Sequence, residues 1–252
     1  MARDLFATWI RRLRGEPGAS TALVCFPSAG GAAAGYRDLA RHIDPAADVY
    51  AVQYPGRRER IREAPISSLT GLAARIAPAL EPLLGREPAL FGHSMGATVA
   101  FETARLLEAG GTTLAALYVS GRSAPSEPAG DWLPNADDAT LIDEMARLAN
   151  DPASIRLLRE APELAAAVLP AVRADFAAVA GYVYRPGPPL RCPVIGLTGV
   201  DDPITTPAQV GAWSAHTTGP FELHVFPGSH FYLDLVPADV AAIVNSALRL
   251  AG

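Results

Sequence analysis

Six short apolar runs, interleaved with helical patterns, set the strongest limit on what this chain can fold into. "TALVCF" (21–26), "DVYAVQY" (48–54), "PALFG" (88–92), "LAALYVS" (114–120), "PVIGLTG" (193–199) and "FELHVFPG" (221–228) read as strands. Several lack polar alternation, as strands buried on both faces do. Helical patterns near 36–43, 68–84, 96–109, 207–216 and 237–250 lie between and after them. This β-α-β order predicts an α/β fold, with a mostly parallel central sheet flanked by helices and functional loops at the strands' carboxyl ends. At 252 residues, half of them hydrophobic, the chain is long enough for one such domain with a substantial core.

One section breaks the rhythm. Residues 122–190 hold no convincing strand, but "DATLIDEMARLAN" (138–150) and "APELAAAVLPAVRADFAAVAGYVY" (161–184) carry apolar residues at helical spacing. Pro170 is expected to kink or divide the second helix. A helical insertion above the sheet's carboxyl edge is placed to act as a lid over a site; the plainer alternative is packing helices without a gating role. With no repeat or low-complexity linker in view, a single domain (1–252) with an inserted lid is expected.

Charge and composition narrow the partners. A formal net charge of −5 argues against nucleic acid. No apolar run approaches the roughly 18 residues of a membrane-spanning helix, and the charged N-terminus lacks a signal-peptide core, so a cytoplasmic location is expected. Cys25 and Cys192 sit in apolar strand-like segments and read as small buried residues without metal-ligand spacing. "PGRRERIRE" (55–63) concentrates arginines, either as a basic patch for a partner or as a solvated loop pairing with Glu59 and Glu63.

The chemistry centres on Gly92-His93-Ser94-Met95-Gly96, a G-x-S-x-G sequence between a strand and a helix. That context turns a Gly-rich turn into a nucleophile elbow presenting Ser94. A serine hydroxyl needs a base. His42 reads as a surface residue, His93 as a packing residue of the elbow, His216 as a helix-terminal cation favoured by the dipole, and His224 as sheet packing. His230, in the loop after the last strand, is the candidate base. The acid that orients it comes from "LTGVDDPIT", where Asp201 and Asp202 could both reach and the G-x-x-D spacing selects Asp202. The order Ser94, Asp202, His230 is that of the α/β-hydrolase fold. Backbone donors for a developing oxyanion are expected at Met95 and at Ala29, in the Gly-rich loop after the first strand.

Along most of residues 23–233 the chain resembles the type II thioesterases of polyketide and non-ribosomal peptide assembly lines. "VCFPSAGGAAAGYRDLA", "VYAVQYPGRRERIRE", "LFGHSMGATVAFETARLL", "LPAVRADFAAVAGYVY", "LTGVDDPIT" and "HTTGPFELHVFPGSHFYL" carry the resemblance. It implies a free-standing, monomeric enzyme without a cofactor of its own. Its substrate would be an aberrant or stalled acyl group on the phosphopantetheine arm of an acyl or peptidyl carrier protein. The matching positions assign Ser94 as nucleophile, His230 as base, Asp202 as orienting acid, and Ala29 and Met95 as oxyanion donors. Ser28 departs from the larger residue, such as histidine, often found there, which alters the site entrance. A product-releasing thioesterase, an esterase or acyltransferase acting on oxygen esters, and a non-catalytic carrier-binding module are the alternatives.

Overall fold

A computed structural model describes residues 2–15, 19–127 and 136–250. Seven strands form one sheet: β1 (Ile10–Arg14), β2 (Thr21–Phe26), β3 (Ala47–Val52), β4 (Ala89–His93), β5 (Leu117–Ser120), β6 (Val194–Gly199) and β7 (Phe221–Phe226). Their spatial order is β1-β3-β2-β4-β5-β6-β7; β1 pairs antiparallel with β3 and every other pair is parallel. Six of these strands fall where the apolar runs predict them. β1 does not: "IRRLR" reads as a basic stretch, because its arginines leave the edge to bond Glu59, Asp48 and the Ile43 carbonyl.

The helices are α1 (Ala2–Trp9), α2 (Arg37–His42), α3 (Leu69–Ala79), α4 (Met95–Ala109), α5 (Asp138–Leu148), α6 (Pro152–Arg156), α7 (Pro162–Ala180), α8 (Pro207–Gly211) and α9 (Pro237–Leu250). Period-2 alternation divides the central strands between two cores. Val24, Phe26, Leu90, Leu117 and Val119 face α3, α4 and Trp213. Leu23, Cys25, Phe91, Tyr118 and Ile195 face α2 and α9. Both layers are therefore closed by helices, which gives the α/β-hydrolase architecture and leaves the carboxyl ends of β2, β4, β6 and β7 as the place where loops converge. Cys25 and Cys192 are buried and unpaired, one in each core, and burial pushes both thiols up, Cys192 to about 12.

Between β5 and β6 lie α5, α6 and α7; part of this 122–190 insertion, residues 128–135, is outside the described residues. Asp137 caps α5 through the Thr140 amide at 2.8 Å. α5 and α7 pack through Leu141, Val172 and Phe176, while Ile142 of α5 and Leu169 of α7 meet Leu158, with Ile155 of α6 packed against them. α7 runs through Pro170 as one helix, so of the kink or division expected from the sequence the division does not occur. Pro170 and Ala166 lie on the exposed face, where water can satisfy the carbonyl that proline leaves without a donor. No helix among the described residues is long and apolar enough to cross a membrane.

Candidate active site

The turn from β4 into α4 explains its sequence atom by atom. Ser94 sits between the two elements at φ 54°, ψ −122°, a conformation that a residue with a side chain adopts only when its surroundings impose it. The flanking glycines impose it by letting backbones touch. A Cβ on Gly96 would lie 2.0 Å from the Phe26 carbonyl oxygen of β2, and one on Gly92 would lie 2.3 Å from the Gly96 carbonyl oxygen. Strand, turn and helix can thus close tightly only with glycine at both positions. Ser94 is 6% exposed and lines a cavity of about 290 Å³ beneath the α5–α7 insertion.

The β7 loop brings His230 to the same cavity, 1% exposed. Its Nδ1 lies 2.8 Å from Asp202 Oδ2, and neither side chain has more than 1% of its surface exposed. The other Asp202 oxygen accepts from the Ile204 and Thr205 amides at 3.0 and 3.2 Å, so the carboxylate is anchored on both sides. Asp201, the alternative acid, is exposed, and its amide donates to the Gly228 carbonyl at 3.0 Å. The β6 loop therefore presents Asp202 inward. Among the described residues Ser94 Oγ forms no hydrogen bond; it shares the cavity with the His230 ring, and such contacts commonly tighten only around substrate.

Two backbone amides, those of Met95 and Ala29, are expected to face an oxyanion. Met95 opens α4, so its amide has no intrahelical acceptor and carries the positive end of the helix dipole. Ala29 lies in the loop after β2 and lines the cavity. The neighbouring Gly30 and Gly31 amides are occupied by Asp175 and Ser28; among the described residues no partner is formed by the Ala29 amide. Ser28 also lines the cavity. Met145, Leu148, Ile155 and Phe176 from the insertion make one wall apolar, while Tyr36, His93 and Asp234 also line the cavity.

The other histidines separate clearly. His42 is exposed, and His224 stands half-exposed on β7 beside Glu222 at 3.2 Å. His93 is fully packed against His230, ring centroids 4.9 Å apart, and its Nδ1 meets Ser120 Oγ at 2.9 Å. Burial, reinforced by the neighbouring imidazole, holds the His93 pKa well below the usual histidine range. His216 corrects the expectation of a dipole-stabilised cation. It is 5% exposed among Phe101, Tyr184 and Trp213, bonds Ser126, and burial lowers its pKa, favouring the neutral ring.

The arginine run also differs from a uniform basic patch. Arg57 turns inward to Asp175 of α7, and Arg60 is buried over the Trp9 ring at 4.3 Å with Glu63 on its guanidinium. Arg58 and Arg62 remain exposed. Asp175 escaped the sequence reading because its partner lies 118 residues away and "RADF" looks like a polar helix face.

Comparison with known proteins agrees with this architecture. The thioesterase domain family model matches residues 21–246. Thioesterase PikA5 of Streptomyces venezuelae is 42% identical over 229 residues, covering 90% of this chain and 80% of that protein. The solved structure of the type II thioesterase BorB from the borrelidin biosynthetic cluster superposes with a TM-score of 0.84 at 44% identity, over 96% of this chain and 97% of that one. YbtT, a type II thioesterase from the yersiniabactin NRPS/PKS biosynthetic pathway, gives a TM-score of 0.84 at 34% identity over 96% and 98%. By fold, by sequence along nearly its whole length and by the match to the family model, the chain belongs to the thioesterase family, among its type II members.

Proposed function

We propose that this thioesterase removes aberrant or stalled acyl groups from the phosphopantetheine arm of acyl or peptidyl carrier proteins, through Ser94, His230 and Asp202. The observation that carries the reading is the buried Asp202–His230 pair, whose imidazole shares one largely apolar cavity with a strained Ser94. A carboxylate can only accept, so the Asp202 contact requires the proton on His230 Nδ1 and leaves the Nε2 lone pair as the base. Ser94 Oγ attacks the thioester carbonyl while Nε2 takes its proton. The Ala29 and Met95 amides stabilise the resulting oxyanion. Collapse expels the carrier's thiol, which leaves with the proton from His230. Water, activated by the same nitrogen, then attacks the acyl-Ser94 ester, and the acid departs with Ser94 restored.

The type II relatives named above come from assembly-line biosynthesis, BorB from a borrelidin cluster and YbtT from an NRPS/PKS pathway. That kinship supports carrier-bound acyl groups as substrates and removal, rather than product release, as the task. α5–α7 serve as a lid within a single domain, lining the acyl chamber with Met145, Leu148, Ile155 and Phe176. The outward-facing Arg58 and Arg62 suit an acidic carrier surface. The chain needs no cofactor beyond the arm its substrate brings. The test compares hydrolysis of acyl-carrier thioesters, small acyl-thiol surrogates and matched oxygen esters. Faster turnover of carrier thioesters is expected; a strong preference for oxygen esters would overturn the reading.

A further inference from the structure

The loop that carries Ala29 is held in place by groups with no part in the reaction cycle above. Asp175 of α7 is 1% exposed and Arg57, in the loop after β3, is 7% exposed. Arg57 Nη1 and Nη2 donate to Asp175 Oδ2 and Oδ1 at 2.7 and 2.8 Å, a two-pronged pair. Asp175 Oδ2 also accepts from the Gly30 amide at 2.8 Å, and Arg57 Nη1 donates to the Gly31 carbonyl at 3.0 Å. On the other side of Ala29, Tyr54 donates from its hydroxyl to the Pro27 carbonyl at 3.3 Å. Three polar anchors therefore bracket one residue.

Packing repeats the same connection. Gly30 adopts φ +70°, and a Cβ there would lie 3.2 Å from Val172 Cγ2, one turn before Asp175 on α7. Ala29 itself packs against the cluster of Leu141, Val172 and Phe176. The lid helix thus rests on the oxyanion loop through one apolar and one polar contact. A buried ion pair alone is weak support for stability, since desolvation offsets most of the attraction. Here the pair fixes where Oδ2 points, and Oδ2 points at the loop.

We infer that Asp175, oriented by Arg57, is a positioning residue that couples lid seating to assembly of the oxyanion hole. When α7 is docked, Gly30 has its acceptor and the Ala29 amide is aimed at the cavity. When α7 lifts, the acceptor leaves with it and the loop loses its alignment. Attack on the acyl carbonyl is then efficient only with the lid closed over the chain. This inference rests on the reading of Ala29 as an oxyanion donor.

Two charge-balanced double variants isolate the Gly30 contact. Arg57→Met with Asp175→Asn keeps a carbonyl acceptor for the Gly30 amide; Arg57→Met with Asp175→Leu removes it at nearly the same volume. Both lose the same arginine contacts. The leucine form should show kcat about 100-fold below the asparagine form with KM little changed, the penalty expected of a misplaced catalytic group. An acyl trifluoromethyl ketone, whose hemiketal oxygen occupies the hole, should lose affinity by the same factor. Equal kcat and equal ketone affinity in the two forms would overturn the coupling. A wild-type enzyme that binds the ketone no better than the matching methyl ketone would instead overturn the oxyanion reading on which the coupling rests. Should either variant fail to fold, native-state hydrogen exchange of the wild type decides: the Gly30 amide should exchange more slowly once the acyl trifluoromethyl ketone is bound beneath the closed lid, and a rate unchanged by bound ketone would refute the inference.

Discussion

Replacing Asp202 with asparagine changes a single atom of a side chain that is wholly buried, yet most of the turnover should disappear. In the native site Oδ1 accepts from the Ile204 and Thr205 amides at 3.0 and 3.2 Å, while Oδ2 meets His230 Nδ1 at 2.8 Å. An asparagine would keep its carbonyl on the two backbone donors, which turns its NH₂ toward His230. Two donors cannot share that contact, so the imidazole proton moves to Nε2 and the base lone pair is lost from the side that serves Ser94. The same replacement in the serine-protease triad lowers kcat by about 10⁴, or about 5.5 kcal/mol of transition-state stabilisation. A loss of that order is expected here, measured as kcat on a soluble acyl thioester. Because both backbone contacts survive, the thermal midpoint should fall by only a few degrees. Turnover within tenfold of wild type would refute the tautomer argument. An inactive Asp201→Asn beside an active Asp202→Asn would show that the wrong acid has been assigned.

Two other substitutions probe what surrounds the triad. Gly96→Ala forces a methyl group to 2.0 Å from the Phe26 carbonyl, a backbone atom that cannot step aside without parting β2 from α4. Its cost should reach about 3 kcal/mol or more, the upper end for overpacking, in urea denaturation; a loss below about 1 kcal/mol would contradict the close approach. His93 tests the acid side of the stability curve. Burial depresses its folded pKa, so below the ordinary value near 6.5 the unfolded chain binds the proton first and stability falls with pH. Between pH 7.5 and 5.5 this one residue should account for at most about 1.4 kcal/mol of lost stability, and His93→Gln should remove that part of the slope. Identical slopes in the two proteins would contradict it.

The sheet and the residues that meet at the candidate site were legible in the sequence for the same reason: both depend on short local patterns. Strands buried on two faces leave unbroken apolar runs, and the elbow leaves two glycines around one serine. Asp202 and His230 follow from their places after β6 and β7, since chain order in this fold determines which loops meet. What escaped depends on distant pairing. β1 is a strand whose arginines find partners on three other segments, so its local composition resembles a solvated loop. Arg57 looked like surface charge because Asp175 is remote in sequence, and Arg60 pairs with Glu63 as one reading had it but is buried against the remote Trp9 ring. His216 at a helix end suggested a dipole contact, whereas the aromatic cage around it is assembled from three segments. In each case a charged or polar residue was read by its neighbours in the chain, and its role was set by neighbours in space.

The most direct measurement is intact-protein mass spectrometry of an acylated carrier protein treated with wild-type enzyme and with Ser94→Ala. Wild type should return the carrier to its free-thiol mass and show a transient acyl adduct on the peptide containing Ser94, while Ser94→Ala should do neither. Deacylation by Ser94→Ala at the wild-type rate, or an adduct on any other residue, would contradict nucleophilic catalysis at the elbow.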